Sequence, residues 1–266
     1  VLGLICMVPS NTAWERVRRE VGLALELDEN LASAHGVRGF VATYVDYDAE
    51  TGERHLERAI ELDPTSGHFH CWLSTPLALR GRMDESMAHL ERALEAEPMS
   101  AIIQTLVGFN MQFADPERGT RHMRNGFEMQ PDNPMTGMYL GVGLGEFQGR
   151  FEEAIAPLEH SASMGYPTSV AFLASYQARL GNLEAAARAE EQLDHIAAKV
   201  YVSPFLRAIV SAGHGRAEET LDALEACLAT GDGLGYIRMY RATFGFILDH
   251  PRAAALLQQV GGHLGR

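Results

Sequence analysis

The densest group of metal-ligating side chains in the sequence is His68-Phe69-His70-Cys71. On a helix, His68 and Cys71 share a face while His70 points elsewhere. A closed zinc site takes four ligands, and no second cluster supplies the remainder. These residues are therefore expected to be helix residues packed against neighbours, and no metal is expected. A second candidate, Gly141-Val142-Gly143-Leu144-Gly145, has the composition of a phosphate-cradling loop. Such a loop needs a strand before it and a helix N-terminus after it. This run falls inside a helical pattern, so the glycines are expected to allow close helix packing and to soften the chain there. The sequence contains no Gly-x-Ser-x-Gly elbow, His-Glu-x-x-His pair or Gly-Lys-Ser/Thr loop, and those are the arrangements that nucleophilic, zinc and phosphate chemistry require. Neither an enzyme nor a cofactor is expected.

The three cysteines, Cys6, Cys71 and Cys227, are too few and too scattered for a disulfide framework. They are expected to pack as small hydrophobes, with a weak leaning toward a reducing, cytoplasmic compartment. The 266 residues carry a formal charge of -13 and a pI near 5.3. That balance repels phosphate backbones and anionic lipid, so this segment is not expected to bind nucleic acid or membrane. The apolar run Val1 to Val8 is too short to span a bilayer. A chain beginning with valine is expected to be part of a longer protein.

The elements that would position any site come from self-similarity. Residues 55–64 read HLERAIELDP, 89–98 HLERALEAEP and 122–131 HMRNGFEMQP. Their closing prolines, Pro64, Pro98 and Pro131, stand 34 and 33 residues apart, and ALELDE at 24–29 is an earlier copy without its proline. Gly81, Gly149, Gly181 and Gly215 keep the same beat, each between two apolar stretches. Each unit is thus two short segments joined by a tight turn. In 84–96, Met87, Leu90, Ala93 and Leu94 recur at helical steps, with Asp84 expected as N-cap and Pro98 as terminator. Asp115–Pro116 and Asp249–His250–Pro251 read as further helix starts. No alternating β-branched run is long enough for a strand. Ala59, Ala93, Ala154, Ala174, Ala186, Ala208 and Gly39 are expected where two helices approach closely. The acidic stretch 46–63 reads as a solvated outer face.

These residues resemble the tetratricopeptide repeat, a helix–turn–helix unit of about 34 residues. The likeness covers nearly the whole chain, with pairs near 1–29, 31–64, 67–98, 101–131, 135–166, 167–200 and 202–230 and a closing helix near 251–260. The third unit matches best, through Leu73, Leu77, Gly81, Leu90, Ala93 and Pro98; the fourth and fifth depart from the pattern at Gly119, Gly126 and Gly145. The resemblance implies an all-α, right-handed α-solenoid of about seven hairpins and a single domain over 1–266. Tyr44-Val45-Asp46-Tyr47-Asp48, Tyr201-Val202-Ser203-Pro204-Phe205 and the terminal DHPRAAALLQQVG are similar to the C-terminal repeat region of large bacterial signalling proteins. There such a region follows a winged-helix, adenylate cyclase or kinase domain.

In that family the first helix of each pair lines a concave groove. Carried over by position, the groove would show Trp72, Thr75, Gln104, Met111, Tyr139, Glu146, Phe147, Phe172, Ser175 and Arg179. Large aromatic and arginine side chains of this kind anchor interfaces. The resemblance implies a non-enzymatic scaffold that takes a peptide or partner helix. Of the 22 basic residues only Lys199 is a lysine, which argues against a lysine clamp for an acidic terminus; a basic or apolar partner suits the charge. A small-molecule sensor using the same groove and a self-assembling scaffold remain the alternatives.

Overall fold

A computed structural model describes residues 10–232, 237 and 239–259. Among them every regular element is helical, and the helices between residues 32 and 230 pair as consecutive antiparallel hairpins. The chain divides into two compact units, whose bodies run over 14–129 and 130–262.

The N-terminal unit holds α1 (Ser10–Leu27), α2 (Ala32–Tyr44), α3 (Ala49–Leu62), α4 (Gly67–Leu79), α5 (Met83–Ala96), α6 (Ala101–Met111) and α7 (Pro116–Met129). The hairpins are α2/α3, α4/α5 and α6/α7. Over the described part of the first expected pair there is one continuous helix, α1. The prolines act as the sequence predicts: α3, α5 and α7 each stop two residues before Pro64, Pro98 and Pro131, because proline disfavours the helical conformation in the residue before it. Asp115 caps α7, its carboxylate accepting from the Arg118 N–H at 3.0 Å. Asp84 lies elsewhere than expected. Helix α5 opens at Met83, and Asp84 sits in its first turn, where its charge faces the positive end of the helix dipole.

Burial follows the stripe read from the repeat. Leu56, Leu73 and Leu77 form one core cluster, and Cys71, Leu90, Ala93, Ile103, Val107 and Met111 another. The predicted small positions Ala59 and Ala93 are fully enclosed. The glycines that depart from the repeat pattern in the fourth unit have a packing reason. A Cβ on Gly119 would stand 2.5 Å from the Gly108 carbonyl oxygen, and one on Gly126 2.6 Å from that of Ala101. Helices α6 and α7 therefore cross backbone to backbone.

The C-terminal unit contains α8 (Pro134–Val142), a π-helical turn Gly143–Phe147, α9 (Phe151–Ser163), α10 (Pro167–Arg179), α11 (Leu183–Ala197), α12 (Pro204–Gly213) and α13 (Ala217–Thr230). After these come α14 (Arg241–Phe244), a 3₁₀ turn Gly245–Ile247 and α15 (Pro251–Gln259). The hairpin turns carry Gly149, Gly181 and Gly215 at φ 66°, 79° and 70°, and Gly81 does the same at 78° in the N-terminal unit. That left-handed region admits glycine without the Cβ penalty. In the α2/α3 turn the equivalent place is held by Tyr47 at φ 56°.

Candidate functional site

The two units treat the face formed by their first helices differently. In the N-terminal unit, α1, α2 and α4 line up an aromatic row. Phe40 and Tyr44 stand one turn apart on α2 with ring centroids 4.6 Å apart. Phe40 then meets Trp72 of α4 at 5.1 Å and Trp14 of α1 at 6.2 Å. Trp72 is flanked by His68 at 5.9 Å and Phe69 at 6.0 Å. The Tyr44 hydroxyl and Thr75 Oγ1, 2.6 Å apart, tie α2 to α4. Trp14 and Phe69 are buried, whereas Phe40, Tyr44, Trp72 and Thr75 remain half-buried. Leu79, seven residues after Trp72 on the same helical face, is 39% exposed.

The His68–Cys71 neighbourhood has no convergent ligand geometry. Cys71 lies in the core cluster, where burial pushes its thiol up to about 12; the residue is unreactive. His70 turns to His89, and His68 Nδ1 approaches Glu97 at 3.8 Å. No group of three or more His, Cys, Asp or Glu among the described residues could hold a metal ion. Nor is any helix among them long and apolar enough to cross a membrane.

In the C-terminal unit the same face is covered by the chain's own segment 240–247. Helix α14 packs on the π-helical turn and on α12. Tyr240 meets Phe172 edge-on at 5.4 Å, and Phe244 meets Phe205 at 5.6 Å. The polar centre is Glu146, only 7% exposed. Its carboxylate accepts from the Thr243 N–H at 3.1 Å, from the Thr243 hydroxyl, and from the Tyr176 hydroxyl at 3.0 Å. Arg179 donates to the Thr243 carbonyl at 2.9 Å, and its guanidinium lies over the Phe151 ring at 5.7 Å. Burial raises the Glu146 carboxyl above its ordinary value, against the opposing pull of these donors. Burial and then the nearby Glu146 raise the Tyr176 phenol.

The π turn makes this node possible. It adds a residue to the helical turn, and it brings Gly145 so close to Tyr176 that a Cβ there would stand 2.3 Å from the ring. The run Gly141 to Gly145 is thus the end of α8 and its π continuation, with no phosphate-loop geometry.

The residues picked from the sequence therefore separate. Trp72 and Thr75 lie in the aromatic row. Met111 is fully buried in a core cluster. Gln104 is bound within its own hairpin, to the Pro98 carbonyl and to His122. Glu146, Phe172 and Arg179 converge, but on residues 240–244; Ser175 is fully enclosed beside Gly213. Tyr139 and Phe147 are half-buried on α8 and the π turn. Phe40 and Tyr44 were missed from the sequence, although their one-turn spacing just before the α2/α3 turn was a usable signal.

No protein-family model and no curated protein matches the chain. Solved structures do. The chain is similar to human IFIT1, solved as a dimer with PPP-AAAA, at 12% identity and TM-score 0.61, over 93% of this chain and 67% of that one. It is similar to the APC/C hetero-tetramer Cut9–Hcn1 at 13% identity and TM-score 0.59, over 93% and 46%. It is similar to yeast Tom70 at 16% and 0.51, over 90% and 45%. The chain thus spans less than half the length of the Cut9–Hcn1 and Tom70 chains it matches. At these identities the likeness is one of fold. The class it defines is an all-α solenoid of tetratricopeptide-type hairpins.

Proposed function

We propose that this chain is a non-enzymatic protein-interaction scaffold that docks a peptide or partner helix on the aromatic row of its N-terminal unit. The observation that carries the reading is the row itself. Phe40, Tyr44 and Trp72 are half-buried, packed against one another and continued by part-exposed Leu79. Pre-ordered aromatics of this kind bind with little loss of side-chain freedom. The net charge of -13 favours a basic or apolar partner. Solved neighbours include an assembly, the Cut9–Hcn1 hetero-tetramer, on the same fold. The oligonucleotide in the IFIT1 structure is not carried over, since the acidic balance here repels phosphates. The likeness to C-terminal regions of bacterial signalling proteins makes a regulatory tail the proposed context, in the cytoplasm and attached to a separate effector domain.

The N-terminal unit has a hollow of about 210 Å³ among α1, α2 and α3 and a more open one of about 380 Å³ beside Pro98, Gln104 and Met129, against roughly 300–1,000 Å³ for small-molecule sites; neither is lined by Phe40, Tyr44 or Trp72. The test is selection of peptides from a random library on the purified chain. Basic or apolar binders that lose tenfold or more affinity on Trp72→Ala support the reading. Binders indifferent to Trp72→Ala and to Phe40→Ala would remove the row from it.

A further inference from the structure

The three hairpins of the N-terminal unit share a polar rung that the repeat carries in its sequence. His35, His70 and Gln104 stand 35 and 34 residues apart on α2, α4 and α6; His55, His89 and His122 stand 34 and 33 apart on α3, α5 and α7. In the first rung the rings of His35 and His55 stack at 5.3 Å, with Nδ1 facing Nδ1 at 3.0 Å. In the second, His70 and His89 stack at 5.1 Å, with Nδ1 to Nδ1 at 2.8 Å. The other ring nitrogen of each first-helix histidine faces a carbonyl six residues back: His35 Nε2 that of Glu29 at 3.0 Å, His70 Nε2 that of Pro64 at 3.3 Å.

A carbonyl only accepts, so those Nε2 atoms carry the protons and the Nδ1 atoms of His35 and His70 are bare. The facing Nδ1 atoms of His55 and His89 must then donate. The third rung shows the same polarity with an amide in place of a ring. Gln104 Nε2 donates to the Pro98 carbonyl at 3.0 Å, and Gln104 Oε1 accepts from His122 Nδ1 at 2.8 Å.

We propose that His35–His55 and His70–His89 are neutral, tautomer-locked pairs that make the joints of the N-terminal unit its acid-sensitive element. Each pair admits one further proton, because with both Nε2 atoms protonated a single hydrogen still bridges the two Nδ1 atoms. A second would set two N–H groups against each other across about 3 Å, and one ring must then leave its carbonyl or its partner. The charges nearby oppose protonation on balance. Burial is the largest influence on His55, followed by Arg38 of α2, His35 and Arg54 of α3, and it is held down to about 4. Burial, His70, Arg92 and Arg82 hold His89 down to about 4, against Glu85. Burial and Arg92 lower His70, against the Pro64 carbonyl. Burial, Arg118 and Arg121 lower His122 of the third rung, against Glu91. Helices α2 and α4 also carry Phe40, Tyr44 and Trp72, so an opened joint would break the aromatic row. That last consequence rests on the docking surface proposed above; the pairs themselves do not.

Two measurements test it. Imidazole ¹⁵N NMR at neutral pH should show Nε2–H tautomers for His35 and His70 and Nδ1–H tautomers for His55 and His89. The reverse assignment, or freely exchanging tautomers, overturns the proposal. Burial lowers His70, so proton uptake on unfolding near pH 5 should fall in the His70→Gln variant. Uptake equal to that of the original chain overturns it as well. Gln104 in the third rung shows that the fold accepts glutamine at this position, and the tautomer measurement needs no variant.

Discussion

The two units are built from one kind of hairpin yet leave their first-helix faces in opposite conditions. In the unit at 14–129, aromatics of α2 and α4 stay half-buried and part of the surface remains open. In the unit at 130–262, the equivalent face is closed by Tyr240, Thr243 and Phe244, fastened to Glu146 and Arg179. The repeat alone does not decide which face is available to a partner. What decides it is a segment nearly a hundred residues away in sequence, bonded to the π turn of the first helix.

The largest expected effect tests the closed face. Phe244 has no exposed surface, so Phe244→Ala should cost about 4 kcal/mol of stability by chemical denaturation. Trp72→Ala, on the open face, should cost about 1 kcal/mol, because the ring is only half-buried. Equal losses at the two positions would erase the distinction between the faces. Next comes Glu146→Ala, expected to cost about 3 kcal/mol, since it strands the buried Tyr176 hydroxyl and Thr243 N–H. Glu146→Gln should cost less, because its amide oxygen still accepts. Gly145→Ala should cost about 2 kcal/mol through collision with the Tyr176 ring, with faster hydrogen exchange over 143–147 as its local signature.

The smallest effects concern pH, and here the units should slope in opposite directions. Histidines with lowered values bind fewer protons folded than unfolded. The stability they contribute is therefore present above pH 6.5 and is lost as pH falls from there toward about 4. Glu146 has a raised value. Its contribution is greatest below the ordinary carboxylate value of 4.5 and declines as pH rises through that value to the raised one. Hydrogen exchange followed between pH 4.5 and 6.5 should thus show 32–62 and 67–96 gaining protection with rising pH while 143–147 and 240–247 lose it. Parallel trends would contradict the assignment.

Much of the architecture was legible because it rests on local rules. Proline ends helices, glycine supplies the left-handed turn, and alanine fits where helices touch; Pro98, Gly81 and Ala93 each sit where those rules put them. The site was read less well, for two physical reasons. Groove residues were assigned by repeat position alone, but Met111 and Gln104 occupy helix faces that turn toward the core and toward His122. The covering of Glu146, Phe172 and Arg179 depends on residues 240–244, and no periodicity reports a contact that distant. The histidine rungs were visible in the copied HLERA segments, but only paired coordinates show which imidazole faces which.

The central claim is that a partner engages the N-terminal face while the C-terminal one is already occupied. Titrating a library-selected peptide into the isotope-labelled chain tests it most directly. The account predicts amide shifts concentrated in 36–44 and 68–79. Shifts concentrated in 170–179 and 240–247, with α2 and α4 silent, would contradict it.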